Sequence, residues 1–187
     1  MSFTLTGFRT LCTLLLSVVT ATTLLVGCAS HDIAQYATER PALDLDRFFN
    51  GKVVAYGIFQ NRSGQVVRRF TVDMEGTWEG NQGVLDEHFT YSDGKTERRI
   101  WRLTKTADGR YTGTADDVAG VANGQAAGNA FQWAYTLKLP VDGTVYEVQF
   151  DDWMYLVDER VMLNRATMSK FGIRLGEVTL SFHKQAP

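Results

Sequence analysis

Along the stretch FQWAYTLKL, Phe131, Trp133, Tyr135, Leu137 and Leu139 alternate with Gln132, Ala134, Thr136 and Lys138. A period of two sends successive side chains to opposite sides of an extended chain, so this stretch predicts a β-strand with one apolar face. QVVRRFTVDM, GVLDEHFTY, ERRIWRLTK, TVYEVQF and GEVTLSF repeat the pattern in shorter form. Turn signals separate them at Asn61-Arg62-Ser63-Gly64, Asn81-Gln82-Gly83, Asp93-Gly94, Asp108-Gly109 and Asp142-Gly143. Asp-Gly pairs suit tight hairpins, because glycine takes a positive φ at little cost. Roughly eight to ten antiparallel strands in one small domain mean a sandwich or a barrel, and sequential hairpins favour an all-β, antiparallel, up-and-down barrel. A barrel of about eight strands has room for one small ligand and leaves no open sheet edge. A membrane-spanning barrel would need an apolar outer band, and the face carrying Asp86, His88 and Thr90 argues against one.

Before residue 30 the rhythm is different. Leu11 to Val26 is continuously apolar or small, and Arg9 is the only charged side chain before Asp32. At about sixteen residues this run is short of the roughly twenty that span a bilayer, and it predicts a signal peptide over residues 1–27. The run ends in Leu25-Val26-Gly27-Cys28, which resembles the bacterial lipobox. That resemblance implies cleavage before Cys28, a diacylglycerol thioether on its sulfur and a fatty acyl group on the new N-terminus. At about 0.8 kcal/mol per buried methylene, several chains together make a lasting anchor where one would not. The residue after Cys28 is Ala29 rather than Asp, which in enterobacteria-like sorting directs a lipoprotein to the outer membrane. Residues 28–43 then read as a lipid-anchored tether and 44–187 as the barrel domain.

Composition narrows the chemistry. The two cysteines are Cys12, inside the removed segment, and Cys28, which is modified, so neither thiol catalysis nor a disulfide is expected. Without residues 1–27 the chain keeps 160 of its 187 residues and loses one basic group, which moves the net charge from −2 to −3. That length suffices for one core, and no basic excess points to nucleic acid. His31, His88 and His183 have no metal-ligand spacing, so neither a metal nor another cofactor is expected. A monomer whose partners are the membrane and a fatty-acid or lipid ligand fits these observations.

From Asp44 onward, DRFFNGKVVAYGIFQNRSG, RRFTVDMEGTW, LDEHFTYSDG, ERRIWRL, ADDVAGVANGQAAGNAFQWAY and FDDWMYLVDERVMLNRATMSKFGI resemble a family of uncharacterised Gram-negative lipoproteins, domain of unknown function thirty-eight thirty-three. The resemblance implies a lipocalin-like barrel on the outer membrane. Genes of that family often lie near genes for membrane fatty-acid modification, which implies a lipid-related role. It assigns no activity and no catalytic residues.

Candidate site residues come from the strand faces. Asp86-Glu87, Asp116-Asp117, Asp151-Asp152 and Asp158-Glu159 are adjacent acids, so at most one of each pair looks into a barrel. Two inward acids about 5–9.5 Å apart would suit glycoside hydrolysis, but turns and solvated faces explain such pairs more simply. Glu87 shares a face with Leu85, Phe89 and Tyr91. If Asp93-Gly94 is a two-residue hairpin loop, Glu87 faces Ile100 and has Arg98 and Arg102 on the diagonals, either a self-neutralising network or a seat for an anionic head group. A three-residue loop reverses the faces and sets Glu87 beside Trp101. The glycine-rich stretch 120–128 reads as a portal loop or a bulged strand. In DDWMYLVDERVMLNRATMSKFG (151–172), Asp152, Trp153, Asn164 and Arg165 are ligand candidates, together with Trp133. Asp151, Asp152, Asn164 and Arg165 are also placed to close a polar network at one barrel end. Three readings follow: a lipid binder or carrier, an assembly factor with a filled barrel, and a lipid-modifying enzyme using Glu87, Asp117 or Asp152. A hollow or a solid interior separates the first from the second.

Overall fold

The structure is a computed structural model that describes residues 31–106 and 109–186. The leader, Cys28 with its lipobox, and Asp108 of one expected turn lie outside the described residues. Ten strands run up and down among the described residues: β1 (Gly51–Asn61), β2 (Val66–Glu79), β3 (Gln82–Tyr91), β4 (Thr96–Lys105), β5 (Arg110–Thr114), β6 (Val118–Ala127), β7 (Ala130–Val141), β8 (Thr144–Leu156), β9 (Val161–Lys170) and β10 (Ile173–Lys184). Each pairs antiparallel with its sequence neighbour, and β1 pairs with β10 to close the barrel.

The predicted period of two sorts the side chains. Val53, Ala55, Val72, Met74, Phe131, Trp133, Met162 and Ala166 are buried inside. Tyr56, Val121 and Leu163, on the opposite faces, are exposed. The Gly120–Gly128 stretch is a bulged strand and not a portal loop: β6 shifts register against β7 between Ala119 and Asn123. Gly124 is required there, since a Cβ would sit 2.3 Å from the Trp133 ring.

Antiparallel order fixes the two ends. The β2–β3, β4–β5, β6–β7 and β8–β9 connections share one end with the entering chain. A short helix, α1 (Leu45–Phe48), plugs that end, with Leu43, Leu45, Phe48 and Phe49 all buried. Polar groups staple the plug down. Lys105 Nζ lies 2.7 Å from Asp44 Oδ1 and 3.1 Å from Asp46 Oδ2, and the Tyr111 hydroxyl donates to Asp44 at 2.7 Å. Lys184 Nζ donates to the carbonyls of Arg47, Phe48 and Asn50 at 2.9, 2.7 and 2.7 Å. These carbonyls lie at the end of α1, where the helix itself supplies no donor.

The expected tether from residue 33 onward is part of this packing. Ile33–Tyr36 forms one 3₁₀ turn, Tyr36 packs its ring on Trp153 and Tyr155, and the Leu43 N–H donates to Gly128 O at 2.7 Å. The outward rings of Trp153 and Tyr155 on β8 are thereby covered in part.

Candidate functional site

The barrel is hollow beyond the plug. A cavity of about 460 Å³ runs from Leu45 and Phe49 to Val67, Arg68, Tyr91 and Leu139 near the opposite hairpins, where it opens. That volume falls within the roughly 300–1,000 Å³ of small-molecule sites, and the walls are mainly apolar and aromatic, as such sites are. Leu85, Phe89, Trp101, Trp133, Phe150 and Met168 supply much of the lining. Trp101 meets Trp133 edge-on at 5.6 Å, and Tyr135 stacks on Phe150 at 5.0 Å, which fixes these rings as walls.

One side of this greasy interior is polar. Glu87 on β3 lies directly across from Arg99 on β4, because the β3–β4 hairpin has a three-residue loop: Tyr91 N–H donates to Lys95 O at 2.9 Å, and Gly94 takes φ 81°. Arg99 reaches Asp117 with a nitrogen–oxygen distance of 2.7 Å and Glu87 at 3.8 Å. Asp117 sits in the β5–β6 turn, held by the Lys138 N–H donating to its carbonyl at 2.7 Å. On β8 and β9, Asn164 Nδ2 donates to Asp152 Oδ1 and, at 3.2 Å, to Trp153 O. The Tyr135 hydroxyl makes a long contact of 3.5 Å to Asp152 Oδ2.

Burial sets the protonation of these groups. The Glu87 side chain is 13% exposed. Desolvation pushes its carboxyl up to about 7; Asp117 and Asp152 push the same way, while Arg99 and the Trp101 indole pull back. Asp152 rises to about 6, again chiefly through desolvation, with the Asn164 hydrogen bond opposing. Burial disfavours the charge on Arg99, but Glu87 and Asp117 outweigh it and raise its pKa. Two carboxyls that titrate near neutral pH therefore share this side of the cavity with the engaged Arg99 guanidinium.

Of the residues singled out in the sequence, Glu87, Trp133, Asp152 and Asn164 line the cavity together. Arg98, Arg102, Trp153 and Arg165 do not. The three-residue loop turns Arg98 and Arg102 outward, so the Arg-Glu-Arg cluster does not form. Arg98 instead pairs with Asp86 on the outer face at 2.7 Å, and Arg102 is exposed. Trp153 stacks outside on Tyr155, and Arg165 pairs outside with Glu177 at 2.7 Å. With Arg165 and Asp151 on the outer face, the expected end-closing network reduces to Asp152 and Asn164. Arg99, missed in the sequence, was within reach there: the three-residue loop that sets Glu87 beside Trp101 also sets it opposite Arg99. Among the described residues no cluster of three or more His, Cys, Asp or Glu could hold a metal ion.

Comparison with known proteins agrees with this architecture. The model of a family described as a protein of unknown function (DUF3833) matches residues 22–184. Among solved structures, an S-type phycobiliprotein lyase from Guillardia theta superposes with a TM-score of 0.58 at 8% identity, over 78% of this chain and 94% of the lyase. A protein of unknown function from the DUF3598 family of Nostoc punctiforme gives a TM-score of 0.53 at 12% identity, over 84% of this chain and 53% of that one. At such identities the shared property is the fold, a lipocalin-like barrel. No curated protein matches the chain.

Proposed function

The chain belongs to the DUF3833 family of proteins of unknown function, and from its hollow barrel we propose that it binds a lipid or similar amphiphile, holding it in the cavity while a lipid anchor on Cys28 keeps the protein on the periplasmic face of the outer membrane. The observation that carries the binding reading is the cavity of about 460 Å³, apolar on most sides and open at one end. A filled barrel acting only through its surface would have no such space. The lyase supports the architecture and says nothing about this ligand.

The mouth supports the same reading. Val66, Val67, Val141, Val145, Phe171 and Ile173, on the β1–β2, β7–β8 and β9–β10 hairpins, are all exposed there. Phe171 is 87% exposed and has φ 52°, a conformation costly for a bulky residue. Neither feature helps the fold, and both suit a tip that meets an apolar donor or acceptor of ligand. Lys170 Nζ lies 4.9 Å from the Phe171 ring and 5.2 Å from that of Tyr146, placing a cation at the apolar edge.

Two experiments test the two halves. Ala166, 2% exposed and on the cavity wall, is the place to fill the space. Native mass spectrometry of the membrane-extracted protein should show a co-purified amphiphile, and Ala166→Trp should reduce its occupancy about tenfold or more. A wild-type protein that carries nothing and takes up no added amphiphile removes the binding reading. Separately, Cys28→Ser should move the protein from the membrane fraction to the soluble fraction, and a variant that stays with the membranes removes the anchor.

A further inference from the structure

The cavity's polar wall has more acceptors than donors, and this bears on the head group of its ligand. Selection by head group presupposes the amphiphile binding proposed above.

Asn164 is 2% exposed, and its amide orientation is fixed by its neighbours. Its Nδ2 faces two acceptors, Asp152 Oδ1 and the Trp153 carbonyl, so a flipped amide would set oxygen against oxygen. The remaining atom, Asn164 Oδ1, is buried without a hydrogen-bond partner, in a side chain that belongs to the cavity lining. Beside it stands Asp152, 7% exposed, and Glu87 lies on the same lining. A buried acceptor without a donor is costly and rare, and a ligand that supplies the donor recovers that cost.

Of the two cations on the lining, Arg99, the one at the polar wall, is already engaged. Arg99 is held by Asp117 at 2.7 Å and faces Glu87. Arg68, at the mouth, donates from Nη2 to both oxygens of Asp93 at 3.0 and 2.9 Å and lies 3.6 Å over the Tyr91 ring, while its Nε is buried without a partner. A carboxylate brought to this wall would find no free cation there and would sit beside Glu87 and Asp152, a like-charge contact in a poorly solvated space once these carboxyls ionise. An ammonium or hydroxyl would find Asn164 Oδ1 and the two carboxyls waiting. Charge-assisted hydrogen bonds are the stronger kind, so an ammonium gains most.

We propose that this cavity selects amphiphiles whose head group donates hydrogen bonds, an ammonium or a hydroxyl, over free fatty acids, and that Asn164, Asp152 and Glu87 read the donor. The raised pKa values of Glu87 and Asp152 agree with this but are not needed for it. As pH rises past 7 both become anionic, which strengthens attraction for an ammonium and repulsion of a carboxylate.

The test uses three probes of one chain length. The full-length protein is offered equimolar dodecylamine, 1-dodecanol and dodecanoic acid, and the bound species are counted by native mass spectrometry. The amine or the alcohol should exceed the acid by roughly tenfold or more, the range expected from a hydrogen bond to a charged group. Asp152→Asn and Glu87→Gln keep the side-chain volumes and should each shrink that ratio. An acid bound as well as the amine and alcohol, or better, overturns the proposal while leaving amphiphile binding intact. A preference unchanged in both variants overturns the assignment to this wall. If none of the three binds, the proposed function fails as well.

Discussion

Gly76→Ala is expected to unseat the plug and to destabilise the barrel by about 3 kcal/mol or more, a fall in Tm of roughly 10 °C for a domain of this size. Gly76 lies on β2 where Phe49 crosses it, and a Cβ there would stand 1.7 Å from Phe49 O and 2.8 Å from Phe49 C. Both obstacles are backbone atoms, so no rotamer change relieves the overlap and α1 must move. Phe49 meets Phe48 and Phe182 edge-on at 5.2 and 5.7 Å, so moving it loosens the aromatic floor of the cavity as well. Gly143→Ala is the control. It tests the strain of a positive φ (79°) where nothing lies within 4 Å of the new Cβ, and it should cost only about 1 kcal/mol. Thermal melts of the two variants separate the effects. Equal losses would mean that the close approach at Gly76 is not what seats the plug.

The crossing at Gly76 could not be read from the chain. GTW in β2 and RFFNG before β1 carry no mutual signal, because the approach is long-range and made by backbone. Strand faces were legible wherever alternation was clean, as in β7. The polar wall was half legible, and the reason is one residue of loop length. Asp93-Gly94 fits both a two-residue and a three-residue loop, and the choice decides which arginines look inward: Arg98 and Arg102, or Arg99. Only the pairing of Glu87 with Arg99 settles it. The β9–β10 hairpin was hidden differently. Its loop is Phe171-Gly172, with both residues at positive φ, and an aromatic residue is the last to be expected there. Sequence patterns register what folding favours, and this tip is not favoured by folding, which is why it stands out once the structure is known.

Arg99→Met should cost about 3–5 kcal/mol at pH 8.5 and much less at pH 5, the pH dependence being the informative part. In the folded protein the Glu87 carboxyl titrates near 7, against 4.5 in an unfolded chain. The folded state therefore holds a proton that the unfolded state releases between those values. The stability this confers is fully present below about 4.5 and is lost as pH rises through 7. Asp152, raised from 3.8 to about 6, contributes with the same sign. Arg99 opposes the trend by favouring the charged form of Glu87. Without it, Glu87 above neutral pH is a buried carboxylate whose other charged neighbours, Asp117 and Asp152, are anionic. At pH 5 it is protonated and needs only a hydrogen bond. Urea unfolding at the two pH values measures the difference, and an equal loss at both would show that Glu87 is not the orphaned group. The double variant Glu87→Gln with Arg99→Met completes the argument. Removing one partner of a buried pair is costly mainly because of the charge left behind, so removing that charge too should recover much of the stability at pH 8.5. The recovery would be partial, because Asp117 also loses its 2.7 Å partner; its side chain, 39% exposed, can turn to water, whereas that of Glu87 cannot.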